Sequence, residues 1–165
     1  MVEENGSQIL IRMESNEQND EVHLAWSKYR NKPVHITLVI GPNVTAFSPS
    51  FSGLRTQALA HLTLKGTKNP ANIRSPFAVA AHRVTFENVN ITGGQGNGQV
   101  AAVENITFKN TTVSQNRVRK KTMDGPILHI GGFDDSSPEV TFDSSAFTGN
   151  RSQGPLIGTA PRTGK

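Results

Sequence analysis

Apolar and polar residues alternate in three stretches of the chain that share one phrase. Val84-Thr-Phe-Glu-Asn-Val-Asn-Ile-Thr-Gly-Gly, Ile106-Thr-Phe-Lys-Asn-Thr-Thr-Val-Ser-Gln-Asn and Val140-Thr-Phe-Asp-Ser-Ser-Ala-Phe-Thr-Gly-Asn place the same residue types in the same order. They begin at residues 84, 106 and 140, so the spacings are 22 and 34. Period-two alternation rich in β-branched and aromatic residues predicts a strand. The Asn or Ser that follows (Asn88, Asn110, Ser144) predicts a bend, because these side chains tolerate the left-handed backbone region and bond to nearby backbone groups. A second short strand then turns Ile91, Val113 or Phe147 inward. A further apolar run precedes each copy: Phe77-Ala-Val-Ala-Ala, Val100-Ala-Ala-Val and Ile127-Leu-His-Ile, with Leu156-Ile-Gly as a fourth. Gly125-Pro126 and Gly154-Pro155 introduce the last two.

A unit of strand, bend, strand, bend, short strand and loop predicts one rung of a three-sided coil. An internal repeat outranks local motifs as a fold signal, and one rung buries its inward side chains only by stacking on the next. The expected fold is therefore all-β, a right-handed single-stranded parallel β-helix of about four rungs with an N-terminal α-helical cap. Phe86, Phe108 and Phe142 form its internal stack, each contributing roughly 1.5–3 kcal/mol on burial. The residues after them, Glu87, Lys109 and Asp143, alternate in sign on the outer face, which favours this register by roughly 0.2–1 kcal/mol per pair. The competing arrangement is a sandwich of hairpins, for which Asn97-Gly98 and Asp124-Gly125 supply turn dipeptides.

Residues 1–34 read differently from residues 35–165. Gln8-Ile-Leu-Ile-Arg predicts a short edge strand. Asn19 or Asp20 is placed to N-cap a helix that runs to about Arg30, with Val22, Ala25, Trp26 and Tyr29 on one face, and Pro33 ends it. Trp26 reads as a packing anchor. The strands His35-Ile-Thr-Leu-Val-Ile and His61-Leu-Thr-Leu-Lys open the solenoid, whose lumen the helix shields. At the other end no plug follows Leu156-Ile-Gly-Thr, so the expectation is either a truncated chain or self-association through an uncapped C-terminal edge.

Composition narrows the chemistry. Hydrophobic residues are 35% of the chain, few enough to suit a narrow core. Cysteine is absent, which excludes disulfides, thiolate metal sites and cysteine catalysis. No run approaches the ~20 apolar residues of a membrane helix. Met1-Val-Glu-Glu-Asn is acidic and does not read as a signal peptide, so the chain is cytosolic as written or a piece of something longer. A net charge of +4 by itself implies no nucleic-acid partner.

The candidate sites lie in loops. Arg117, Arg119, Lys120 and Lys121 suit an acidic glycan or another anion, but no interleaved aromatics offer a base-stacking platform. Asp134-Asp135 suits a hard cation or a divided acid and base role. The glycines of 93–98 lack phosphate-loop spacing, and the five histidines lack H-x-x-x-H spacing. No cofactor is expected, calcium entering only if the chain is an enzyme. Asn43, Asn90, Asn105, Asn110 and Asn150 head N-x-S/T triplets, which matter only if a eukaryotic cell exports the chain.

The repeating phrase resembles the right-handed β-helices of the pectate-lyase-like superfamily. It is similar above all to the repeats of polymorphic outer-membrane proteins and autotransporter passengers, which carry G-G-A-I and F-x-x-N phrases. Gly125-Pro-Ile-Leu and Gly154-Pro-Leu-Ile match the first loosely. Phe86, Phe108 and Phe142 match the second, although Val89, Thr111 and Ser145 stand where its Asn belongs. The resemblance implies a secreted or cell-surface, non-enzymatic scaffold for adhesion or for recognition of glycan or protein on the solenoid flank. Phe77-Ala-Val through Val84-Thr-Phe-Glu-Asn is also similar to a rung of pectin methylesterases. That implies, as the alternative, a pectate lyase, pectin esterase or polygalacturonase type of enzyme, or an inactive copy of one.

Overall fold

The structure, a computed structural model, describes residues 1–51, 59–92, 94–114, 116, 127–132, 136–150 and 157–159. Its first strand, β1 (Val2–Asn5), turns back into β2 (Gln8–Met13). Helix α1 (Asn19–Tyr29) follows, then β3 (His35–Ile40), β4 (Ser50–Phe51), β5 (His61–Lys65) and β6 (Ala71–Ile73). The repeating phrases lie in β7 (Phe77–Glu87), β8 (Val89–Thr92), β9 (Gly98–Lys109) and β10 (Thr112–Ser114). The chain continues through β11 (Leu128–Gly132), β12 (Glu139–Asp143), β13 (Ala146–Thr148) and β14 (Ile157–Thr159).

These strands form two sheets. The larger has ten strands, in the order β1-β2-β3-β5-β7-β9-β11-β14, with β12 also on β9 and β4 also on β7. It is mixed, since β1 runs antiparallel to β2 while the other pairs are parallel. The smaller sheet, β13-β10-β8-β6, is wholly parallel. Both contribute to one apolar core, from Ile9 and Ile11 to Ile73, Ile91 and Val113.

This arrangement corrects the expected parallel β-helix. The three-sided rung required a bend between the run at Phe77 and the phrase at Val84, and again between Val100 and Ile106. The chain instead stays in strand conformation through both places, as the unbroken β7 and β9. Of the residues there, His82-Arg83 and Glu104-Asn105, only Asn105 is of a type that often stops a strand, and it stays in the ladder between Arg83 and Glu139. A register shift between Ala81 and Arg83 absorbs the change of direction as a bulge does. Two expected sides thus merge into one sheet.

The N-terminus also departs from expectation. Gln8–Met13 is not an edge, because β1 covers it through a two-residue Gly6-Ser7 loop with Gly6 at φ +62°, a conformation glycine adopts without steric cost. Helix α1 starts after Gln18, which makes no side-chain cap. Rather than sealing the end of a coil, α1 lays Val22, Trp26 and Tyr29 over β2 and β4, with Trp26 stacked on Phe51 at 5.2 Å.

The bend residues explain how the larger sheet hands over to the smaller. Asn88, Asn110 and Ser144 sit at φ 56°, 51° and 54°, all left-handed. Asn88 Nδ2 donates to the Thr67 carbonyl at 2.8 Å, which ties its bend to the preceding layer. Inside, the Phe86 and Phe108 rings stack at 5.1 Å and 3°, and Phe108 and Phe142 at 4.7 Å and 6°. Phe86 and Phe108 are fully buried, whereas Phe142 is 41% exposed. The column is therefore internal only as far as its second ring.

Candidate binding face

Side chains on successive strand positions point to opposite sides, so burying Ile36, Leu38, Leu62, Leu64, Val84 and Phe86 turns their neighbours outward. Strands β2, β3, β5, β7, β9 and β12 share one register, and three outer rows result. One row runs Gln8, His35, His61, Arg83, Asn105, Glu139. The next runs Leu10, Thr37, Thr63, Thr85, Thr107, Thr141. The third runs Arg12, Val39, Lys65, Glu87, Lys109, Asp143.

The half of this face nearest α1 is closed on itself. The His35 and His61 rings stack at 4.1 Å and 11°. His35 Nε2 lies 3.0 Å from the Thr63 hydroxyl and 3.4 Å from that of Thr37. His61 Nε2 lies 2.9 Å from the Thr85 hydroxyl and 3.4 Å from that of Thr63. The result is one hydrogen-bonded zigzag from Thr37 to Thr85. Burial lowers the pKa of His35 from its usual value. Burial first, then the neighbouring His35 and the Arg83 guanidinium, brings His61 down to about 4. Both imidazoles are neutral at pH 7, and each presents Nε2 to its hydroxyls as a donor or an acceptor according to the tautomer.

The other half is open. The Thr107 and Thr141 hydroxyls make no hydrogen bond among the described residues. The third row alternates Lys65, Glu87, Lys109 and Asp143, so its charges cancel. Arg83 donates from Nε to Glu104 Oε1 at 2.8 Å, which neutralises that cation as well. Beside this half, Ala78, Gln99 and His129 share a row on β7, β9 and β11. The methyl groups of Ala78 and Ala101 and the bare backbone of Gly131 and Gly132 leave a notch of about 140 Å³ there, which Gln99 and His129 also line. Ligand pockets occupy roughly 300–1,000 Å³, so this notch holds at most one small group of a larger partner.

Of the residues singled out from the sequence, Phe86, Phe108 and Phe142 come together in the core stack. Arg117, Arg119, Lys120, Lys121, Asp134 and Asp135 lie outside the described residues. Among the described residues no three His, Cys, Asp or Glu side chains group closely enough to hold a metal ion, and no helix is long and apolar enough to cross a membrane. Sequence reasoning missed the His35–His61 zigzag. Its signal was present as His35-Ile-Thr-Leu and His61-Leu-Thr-Leu, 26 residues apart (61 − 35). No family model, no curated protein and no solved structure matches the chain, so any reading of its function rests on these residues alone.

Proposed function

We propose that this chain is a non-enzymatic recognition module whose open outer face binds a neutral, repeating glycan. The observation that carries the reading is the in-register row that runs from Thr85, whose hydroxyl His61 holds, to the open hydroxyls of Thr107 and Thr141, set between a polar row and a row of cancelling charges. Neighbouring strands are spaced by about 4.8 Å, so the hydroxyls recur at that interval along the sheet. A periodic donor–acceptor array suits a partner that is itself periodic, and sugar hydroxyls are the matching chemistry. The alternating charges select against a polyanion, because attraction at Lys65 and Lys109 is offset by repulsion at Glu87 and Asp143. No observation among the described residues favours the polysaccharide-cleaving alternative.

Pull-down on insoluble neutral glycans such as cellulose, chitin and xylan, with polygalacturonate gel as the polyanion, tests the reading. Retention on a neutral glycan that survives high salt is expected, since the contacts are hydrogen bonds rather than ion pairs. Thr107→Val with Thr141→Val keeps the shape and removes two hydroxyls, and should weaken retention about tenfold or more. Failure on every neutral glycan, or retention on polygalacturonate alone that salt abolishes, would sink it.

A further inference from the structure

The far edge of the outer face is stepped among the described residues. Strand β9 carries two shorter strands side by side, β11 on its first half and β12 on its second. Strand β14 then covers β11, whereas β12 has no strand on its outer side among the described residues. Among the described residues the sheet therefore ends in a step one strand high, with β12 as its floor. All five residues of β12 are exposed. Val140 and Phe142, whose counterparts Ile106 and Phe108 are fully buried, are 37% and 41% exposed. One face of the Phe142 ring packs on Phe108, and the seat above it is vacant among the described residues.

The charges around this seat say what fits it. On its outer side β12 presents Glu139, Thr141 and Asp143, a hydroxyl between two carboxylates. A second copy of the chain is a poor occupant. Pairing β12 antiparallel with its own copy, in the register that aligns all five residues, sets Glu139 against Asp143. Pairing it with the opposite edge of the sheet sets it against β1, whose sequence Val2-Glu3-Glu4-Asn5 is also acidic. Like charges directly opposite on neighbouring strands are destabilising. The alternation Lys65, Glu87, Lys109, Asp143 instead calls for a cation in the next place.

We infer that the β12 edge is a docking site for an extended peptide segment of another polypeptide. That segment has the pattern basic, apolar, polar, apolar, basic, and adds as a further strand. Its backbone completes the ladder that β12 leaves open among the described residues, its apolar residues cover Val140 and Phe142, and its two cations face Glu139 and Asp143. Strand addition of this kind gains affinity from main-chain hydrogen bonds and specificity from alternate side chains. The pattern is the same read in either direction, so the charges alone do not impose a parallel or antiparallel approach. The inference stands apart from the glycan reading, since it concerns the edge of the sheet and not its outer surface.

Fluorescence anisotropy with labelled peptides carrying Lys-Val-Thr-Phe-Lys and Glu-Val-Thr-Phe-Glu tests this directly. The basic peptide is expected to bind about tenfold more tightly or better, with the advantage shrinking as salt is added. The double variant Glu139→Lys, Asp143→Lys changes exposed residues only and should reverse the preference, so that the acidic peptide binds better. Equal binding of the two peptides, binding of neither, or a preference that the double variant leaves intact would overturn the inference. So would sedimentation showing a concentration-dependent dimer that the basic peptide fails to compete, because the edge would then belong to a second copy.

Discussion

Strands β7 and β12 carry the same phrase, an apolar residue, Thr, Phe and an acid, and the molecule treats them in opposite ways. Val84 and Phe86 of β7 are fully buried, while Val140 and Phe142 of β12 stand about two-fifths exposed. Both pair with β9, in the same register. The difference is that β7 has β5 on its other side and β12 has no strand there among the described residues. In a stacked sheet a side chain is buried by the strand above it and the strand below it, so the contribution of a repeated residue depends on its layer and not on its identity.

The comparison breaks most sharply on the phenylalanine column. Phe108 lies between Phe86 and Phe142 and loses ring contacts on both faces when truncated. Phe108→Ala should cost roughly 3–5 kcal/mol, as large-to-small changes at buried aromatics do. Phe142→Ala removes one stacked contact, to Phe108, one edge contact, to Phe147, and a side chain 41% exposed, and should cost about 1–2 kcal/mol. Urea midpoints for the two variants measure the contrast directly. Equal losses would mean that β12 is covered in solution and that the open edge is not open.

The second contrast lies along the polar row, where His35 and His61 are enclosed by flanking strands and Glu139 is exposed. Burial, His35 and Arg83 hold the His61 pKa at about 4 against an ordinary 6.5. The unfolded chain therefore takes up a proton between these two values while the folded one does not. Stability from this group is fully present above pH 6.5 and is lost as pH falls from 6.5 towards 4. Because the ring is half exposed, solvent screening limits the effect to roughly 1–2 kcal/mol. Thermal melts across that range should show the decline, and His61→Gln should flatten it. A wild-type melting temperature that does not move between pH 7 and pH 4, with the variant behaving identically, would remove the enclosed histidine pair from the account.

Which parts of this were legible in the residues follows from how local their causes are. The alternation of the V/I-T-F phrase and the bends at Asn88, Asn110 and Ser144 are set by a few neighbouring residues, and both could be read directly. The closure of the fold could not. Whether His82-Arg83 turns a corner or continues a strand is decided by what β5 and β9 offer on either side, and neither residue forces the outcome. Strand β1 escaped notice because Glu3 and Glu4 are weak strand formers and only the short Gly6-Ser7 loop betrays the hairpin. The His35–His61 zigzag was hidden for a different reason. Its strands carry Leu where the aligned phrase carries Phe, so they fell outside the repeat although they share its register. The exposure of Phe142 has no local signal at all, since its phrase is the same as that of the buried copies.

The finest form of the comparison lies at the bends. Asn88 and Asn110 turn the inner copies, and Ser144 turns the outermost one, all at nearly the same left-handed φ. That region costs an ordinary L-residue roughly 1–2 kcal/mol, and Asn visits it more readily because its amide bonds to local backbone. The two inner amides also meet each other, with Asn110 Nδ2 donating to Asn88 Oδ1 at 3.4 Å. Ser144 takes no part in this ladder, and its hydroxyl turns to the Asp143 carboxylate at 3.3 Å. An amide at 144 would stand in the next place of the ladder, with Asn110 Oδ1 as its acceptor. Ser144→Asn should therefore stabilise the fold by about 0.5–1 kcal/mol, or a rise of roughly 1–4 °C in melting temperature for a chain of this length. The reciprocal change, Asn110→Ser, should cost a similar amount, because it breaks the bond to Asn88 and gives up the ease with which Asn enters the left-handed region. If Ser144→Asn leaves the melting temperature unchanged or lowers it, the outermost bend is not held by the same physics as the inner two, and the equivalence of the copies ends at the layer of Lys109.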